Sequence, residues 1–162
     1  MALSAYLKLA GARTGAVQGS VTQKGREGKI AVNAVSHEIL SPRDPATGLP
    51  SGKRQHQALT ITKELDRATV PLRSMLVNND DCKEWELQFW RPSPTGAETQ
   101  YFTIRLTHAS IASIDMQMPN NTRPELMKLE TFEDVTFVYQ KIEWSWTDGG
   151  LLAADDWMAP IA

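Results

Sequence analysis

The residues able to move protons, attack carbonyls or hold metals are few in this chain: His37, His56 and His108, the lone Cys82, and the adjacent acids Asp80–Asp81 and Asp155–Asp156. A structural or catalytic metal needs several such ligands at characteristic spacing, and no two of these histidines, nor any of them with Cys82, have it. The metalloprotease helix motif, paired-cysteine motif, nucleophile elbow and phosphate-binding glycine loop are all absent from the sequence. Adjacent acids on a strand point to opposite faces, and adjacent acids in a loop are ordinarily solvated. The sequence therefore specifies no cofactor and no metal, and points away from an enzyme. A small hydrolase built from residues distant in sequence stays open as a third reading.

Charge narrows the partners. The 162 residues carry a formal net charge of -2, which gives no general attraction to nucleic acid or anionic lipid. The basic cluster Lys53, Arg54 and His56 reads either as a phosphate-binding patch or, with Asp44, Glu64 and Asp66 nearby in sequence, as a solvated or interfacial salt-bridge set. No stretch approaches the roughly 18 apolar residues of a membrane span, so stable membrane insertion is not expected. The start, MALSAYLKLAG, lacks the basic region and apolar run of a secretory signal. A single cysteine cannot form an internal disulfide. These features imply a soluble chain made in the cytoplasm.

Elements that would position these groups are mostly strands. Alternating apolar residues mark strands at Leu3–Leu9, Ile30–Ala34, Leu59–Ile61, Trp85–Phe89, Phe102–Leu106 and Ile114–Met118. Residues 11–28 read as a long connection or a weak, exposed strand. PSPTG, from Pro92 to Gly96, is a turn joining a hairpin. In the last long strand the apolar set passes from Val135, Phe137 and Tyr139 to Ile142, Trp144 and Trp146, which predicts a β-bulge near Gln140 and Lys141. One short helix, about residues 69–79, opens at Thr69 and Pro71 and buries Leu72, Met75 and Leu76. The expectation is an all-β fold, a compact β-barrel or two-sheet sandwich in a single domain over residues 1–162. Residues 41–55, SPRDPATGLPSGKRQ, read as a long extended loop without secondary structure of its own, a feature that usually has a function.

Five tryptophans are many for this length. Trp85 is placed in the core. Trp90 lies on the opposite strand face and needs a cover, most economically another copy of the chain. Trp157 sits in the tail ADDWMAP. With Trp90 or Trp157 exposed, a monomeric sandwich that binds carbohydrate is the second reading.

The segments SVTQKGREGKI, AVSHEILSPRDPATGLPSGKRQH, ITKELDRAT, EWELQFWRPSPTG, YFTIRL and MPNNTRPELMKLET, with FEDVTFVYQKIEWSWTDGG and ADDWMAP, occur in order over residues 6–160. Together they resemble the haemolysin-coregulated protein (Hcp) family of type VI secretion systems. The resemblance implies a β-barrel with one helix, closed as a homohexameric ring. Such rings stack into the tube of a contractile injection machine, work with its spike and sheath components, and carry small effector proteins in the lumen. It implies no cofactor, export without a cleavable signal peptide, and no toxin domain after the barrel. Under that resemblance the long loop reaches a neighbouring subunit or ring. Arg43, Asp44, Lys53, Arg54, His56, Trp90, Asp155, Asp156 and Trp157 are then the candidate subunit or stacking contacts.

Overall fold

The computed structural model describes residues 3–157; residues 158–160 of the ADDWMAP segment lie outside them. β1 (Ser4–Gly11) turns into β2 (Gly15–Val17), and β3 (Ile30–Val32), β4 (Ala34–Ser36), β5 (Ile39–Leu40), β6 (Gln55–His56) and β7 (Leu59–Glu64) follow. Helix α1 (Thr69–Val77) leads to β8 (Cys82–Pro92), β9 (Glu98–Thr107) and β10 (Ser110–Gln117), then β11 (Phe132–Val138), β12 (Lys141–Trp146) and β13 (Leu151–Asp156). No helix among the described residues is long and apolar enough to cross a membrane.

Two antiparallel sheets face each other. The larger runs β13-β12-β9-β8-β1-β2 with β3 also on β1, and the smaller runs β10-β11-β7-β4. Both sheets stay open, so the architecture is the mainly β sandwich rather than a closed barrel. Leu7, Leu87, Ile104 and Ile142 from the first sheet pack against Leu59, Ile61, Val135 and Phe137 from the second, and α1 adds Leu72 and Met75. Trp85 meets Phe137 edge-on across the interior, ring centroids 5.4 Å apart. Each of the strand residues among these sits at the alternate position that points inward, which is why the period-two pattern identified most of the core.

The structure corrects three local expectations. Residues 30–34 form two strands in different sheets, because the chain crosses at Asn33, whose N–H donates to the Thr62 carbonyl at 2.7 Å. The phase change at Gln140 is a crossover between sheets, with β11 in the smaller and β12 in the larger. Each strand turns its inward face to the same core from opposite sides, so the apolar parity flips without a bulge. The loop of residues 41–55 is the outer part of a hairpin arm. Its legs pair as β5 with β6, an isolated bridge joins Arg43 to Pro50, and the tip is a closed turn.

The second face of β8 is covered by the chain itself. Residues 19–29 fold into a compact loop in which Gly19 donates to the Gly28 carbonyl at 2.8 Å. A Cβ on Gly19 would lie 2.2 Å from the Lys29 carbonyl oxygen, so only glycine permits the closure. The loop delivers Arg26, which is 8% exposed, over the rings of Trp90 at 4.6 Å and Tyr6 at 5.2 Å. Its guanidinium also pairs with Glu98. The face of β8 that carries Gln88 and Trp90 thus has an intramolecular lid. Replacing Arg26 with Ala is expected to lower stability by about 2 kcal/mol, through lost cation–π and stem packing. Denaturant unfolding measures the loss, and a red shift in tryptophan emission should accompany it.

Candidate functional site

The site sits where the arm meets the sandwich. Tyr139 lies in the two-residue crossover from β11 to β12, a position that points its phenol at the arm's base while its carbonyl accepts from the indole N–H of Trp157. His37, just before β5, places Nε2 2.7 Å from the Tyr139 hydroxyl. His56, the last residue of β6, places Nδ1 2.8 Å from the same oxygen. The other ring nitrogen of His56 faces Asp155 Oδ2 of β13 at 2.7 Å. Arg54 grips the same carboxylate with two donors, at 2.5 and 2.8 Å, and reaches the Asp156 carbonyl at 3.0 Å. Bidentate guanidinium–carboxylate pairs are among the stronger and more directional polar contacts.

Burial sets the electrostatics. The His56 side chain is 2% exposed, and Tyr139 is buried. Burial, with the Asp155 charge behind it, pushes the Tyr139 hydroxyl up to about 12. The Arg54 fork, outweighing burial and joined by His56, holds the Asp155 carboxyl below its usual range. Burial and the neighbouring His56 hold His37 below the ordinary histidine value.

Tyr139, His56 and Asp155 have the connectivity of a nucleophile, a base and an orienting acid. Their chemistry is different. A nucleophile must reach its substrate, whereas this hydroxyl is buried between two imidazole rings. What the arrangement does is pin both legs of the arm to two sheets through one hydroxyl and one carboxylate. Beside it lies an open cleft of about 630 Å3, lined by Lys53, Arg54, Gln55, His56, Gln57 and Trp157.

Several residues singled out from sequence therefore converge here: Lys53, Arg54, His56, Asp155, Asp156 and Trp157. The partner of Arg54 is not Asp44, Glu64 or Asp66 but Asp155, about a hundred residues away, since β13 pairs along β12 at the sheet edge. Asp156 points to the opposite face of β13 and accepts from Gln140 at 3.2 Å. Arg43 and Asp44 are at the arm's far end. There Asp44 closes the tip by accepting from Ala46 at its side chain and from Gly48 at its carbonyl, both at 2.8 Å. Gly48 takes the positive φ of 73° that this turn requires. Trp90 is elsewhere, under Arg26.

The remaining chemically competent residues are structural. His108 occupies a positive-φ turn between β9 and β10. Asp80 accepts from the backbone N–H groups of Arg13 and Thr14 and from the Thr14 hydroxyl, stitching the β1–β2 turn to the α1–β8 junction. Burial pushes the Cys82 thiol up to about 12, helped by Asp80 and Asp81, so no thiolate forms near neutrality. Among the described residues, no group of three or more His, Cys, Asp or Glu could hold a metal ion. Sequence reasoning named His37 only as one of three scattered histidines and read Tyr139 only as an apolar strand position; the parity flip at Gln140 marked the place, because it locates the crossover.

A family model described as "Type VI secretion system effector, Hcp" matches residues 6–146. The chain belongs to the Hcp family. Within that family it is 33% identical, over 171 residues, to the Major exported protein of Pseudomonas aeruginosa, spanning 100% of this chain and 99% of that protein. A double-mutant form of Hcp1 from Escherichia coli EAEC 042 has the same fold, with TM-score 0.85 at 28% identity over 96% of this chain and 99% of that one. The secreted protein Hcp3 of Pseudomonas aeruginosa matches with TM-score 0.79 at 27% identity over 96% and 99% of the two chains. The matched span of the Hcp model runs through the whole arm and both histidines of its base.

Proposed function

We propose that this chain is the repeating subunit of a type VI secretion inner tube. Six copies close a ring, rings stack through the arms, and the lumen carries small effector proteins. The rings assemble in the cytoplasm, engage spike and sheath components, and leave the cell without a cleavable signal peptide. The role is structural and needs neither catalysis nor a cofactor.

The arm is the observation that carries this reading. Its legs are hydrogen-bonded, its tip is closed and its base is pinned, yet Ile39, Leu40 and Leu49 remain exposed. A preformed hairpin that leaves these apolar side chains partly open to solvent is suited to bury them in another chain. Ring closure by a head-to-tail contact needs two different surfaces on each subunit. Two unlike strand edges are available: β13, with exposed Leu151 and Leu152, and β10, with exposed Met116. A monomeric carbohydrate-binding module would instead need an open tryptophan platform; Trp90 lies under Arg26 and Trp146 under Arg91, which leaves Trp157, at the rim of the cleft, as the ring that reading would use.

Native mass spectrometry at micromolar concentration tests the ring. Six-fold mass is expected, persisting as salt is raised, while any stacking through the charged arms weakens with salt. A monomer that persists at high concentration and low salt would remove the assembly reading.

A further inference from the structure

Both legs of the arm are tied to one hydroxyl by histidines. His37 stands on the ingoing leg and His56 on the outgoing leg, with nitrogens 2.7 and 2.8 Å from Tyr139 Oη. A tyrosine hydroxyl has a single hydrogen to give. His56 Nε2 must carry a hydrogen, because the ionised Asp155 carboxylate opposite it only accepts.

The neutral arrangement is then a one-way chain. His37 Nε2–H donates to Tyr139, whose hydroxyl donates to His56 Nδ1, while His56 Nε2–H donates to Asp155. One further proton fits. It resides on His56 Nδ1, which donates to Tyr139, and the phenol hydrogen turns to His37 Nε2 while His37 keeps its hydrogen on Nδ1. A second proton does not fit. Both ring nitrogens would then present hydrogens to one oxygen, whose own hydrogen has lost both of its acceptors. Two imidazolium rings would also flank one phenol, with centroids 5.8 and 5.6 Å from it.

We propose that this shared hydroxyl is an acid-released latch: uptake of the second proton, at His37, frees the legs of the arm from Tyr139 while the two sheets stay folded.

The surrounding charges do not offset that proton. On β13, Asp155 is already held by the Arg54 fork, and Asp156 bonds Gln140 and stands across the ladder from Lys141. On the arm, Lys53 adds a further positive charge to the cleft, and the exposed Glu38 beside His37 is solvated. The lowered position of His37 in the docked state agrees with this, and the sign follows from it. Below the ordinary histidine value of about 6.5, the released arm binds a proton that the docked arm does not. Docking is therefore favoured above that pH and weakens as pH falls.

Hydrogen–deuterium exchange on the full chain tests the latch at pH 7.5, 6.0 and 5.0, with intrinsic exchange rates corrected at each pH. Protection of amides in residues 39–57 is expected to fall by up to roughly ten-fold per pH unit below the histidine range, the limit for one proton. Protection in β8 and β9 should stay constant. His37→Gln keeps a hydrogen-bonding group that cannot take up the proton, and should flatten the response. Tyr139→Phe removes the shared hydroxyl, and should leave the arm at pH 7.5 as unprotected as wild type at pH 5.0. The proposal is overturned by a pH-independent arm in wild type, by loss of β8 and β9 in step with the arm, by an unchanged fall in His37→Gln, or by a fully protected arm in Tyr139→Phe. Native mass spectrometry at each pH follows the assembly state in parallel, so that a change in ring stacking is not read as release of the latch.

Discussion

Replacing Glu133 with alanine is expected to destabilise the fold by about 3–5 kcal/mol, the scale seen when one partner of a buried ion pair is removed. Glu133 and Lys63 are both 0% exposed and stand opposite each other in the β11–β7 ladder, with Nζ and Oε1 2.6 Å apart. The other carboxylate oxygen of Glu133 takes Arg73 of α1 at 2.6 Å, and Lys63 also meets Asp66 at 3.0 Å. This cluster fastens the helix to the smaller sheet. Without Glu133, the fully buried Lys63 keeps only Asp66 as a counter-charge, and Arg73 loses its partner.

The two ends of the cluster should behave differently. Arg73 is 36% exposed, so Arg73→Ala is expected to cost only about 1 kcal/mol, close to a surface pair. Changing both buried partners, Lys63→Met with Glu133→Leu, should recover most of the loss, because the two fully buried charges leave together and the remaining Arg73 and Asp66 both reach water. Urea titration midpoints at constant slope measure all three. A Glu133→Ala loss below about 1 kcal/mol would mean that water already reaches the pair.

Acid adds an independent check. Burial acts to raise the Glu133 carboxyl, but hydrogen bonds from Lys63 and Arg73 outweigh it and hold the group below the usual range. A lowered carboxyl contributes stability that is present above the unfolded value, near 4, and is lost as pH falls through the folded one. Wild type should therefore lose stability on acidification below about pH 4 more steeply than the Lys63→Met/Glu133→Leu variant.

Removing residues 42–51 from the arm is the second change with a large expected effect. It should leave the sandwich folded, since Arg54, His56 and the core strands remain, and it should leave ring mass at six copies of the shortened chain. Stacking is where the loss should fall. In the proposed tube each ring face presents several arms at once, which makes ring-to-ring contact multivalent, and removing them all is expected to reduce ring-to-ring affinity on the order of 10²-fold or more. Sedimentation of rings at low salt and export from cells carrying the variant read this out. Stacking and export at wild-type levels would show that the arm has another role.

The inward residues were legible in the sequence because strand alternation is local: Leu59, Ile61, Leu87 and Ile142 are all fully buried. The same parity also contained the buried ion pair. Lys63 follows Leu59 and Ile61 on their face, and Glu133 precedes Val135 and Phe137 on theirs, yet charged residues are ordinarily assigned outward. Only the register of β7 against β11 reveals that the two charges coincide. Arg26 was equally hidden, because a polar loop gives no sign of which sheet face it covers.

The chain's local patterns were sufficient for an all-β class, one short helix, a hairpin around Pro92–Gly96 and the Hcp likeness. They also located Lys53, Arg54, His56, Asp155 and Trp157 as residues of interest, though not as neighbours. Tertiary structure alone decided that His37 and His56, far apart in sequence, share the Tyr139 hydroxyl, and that Arg54 takes Asp155. It also turned a supposed loop into a hairpin arm and placed a lid over Trp90. Alternation is written into consecutive residues by backbone geometry. Which distant side chains meet depends on how strands are ordered and registered across two sheets, and that order is settled only when the whole core packs.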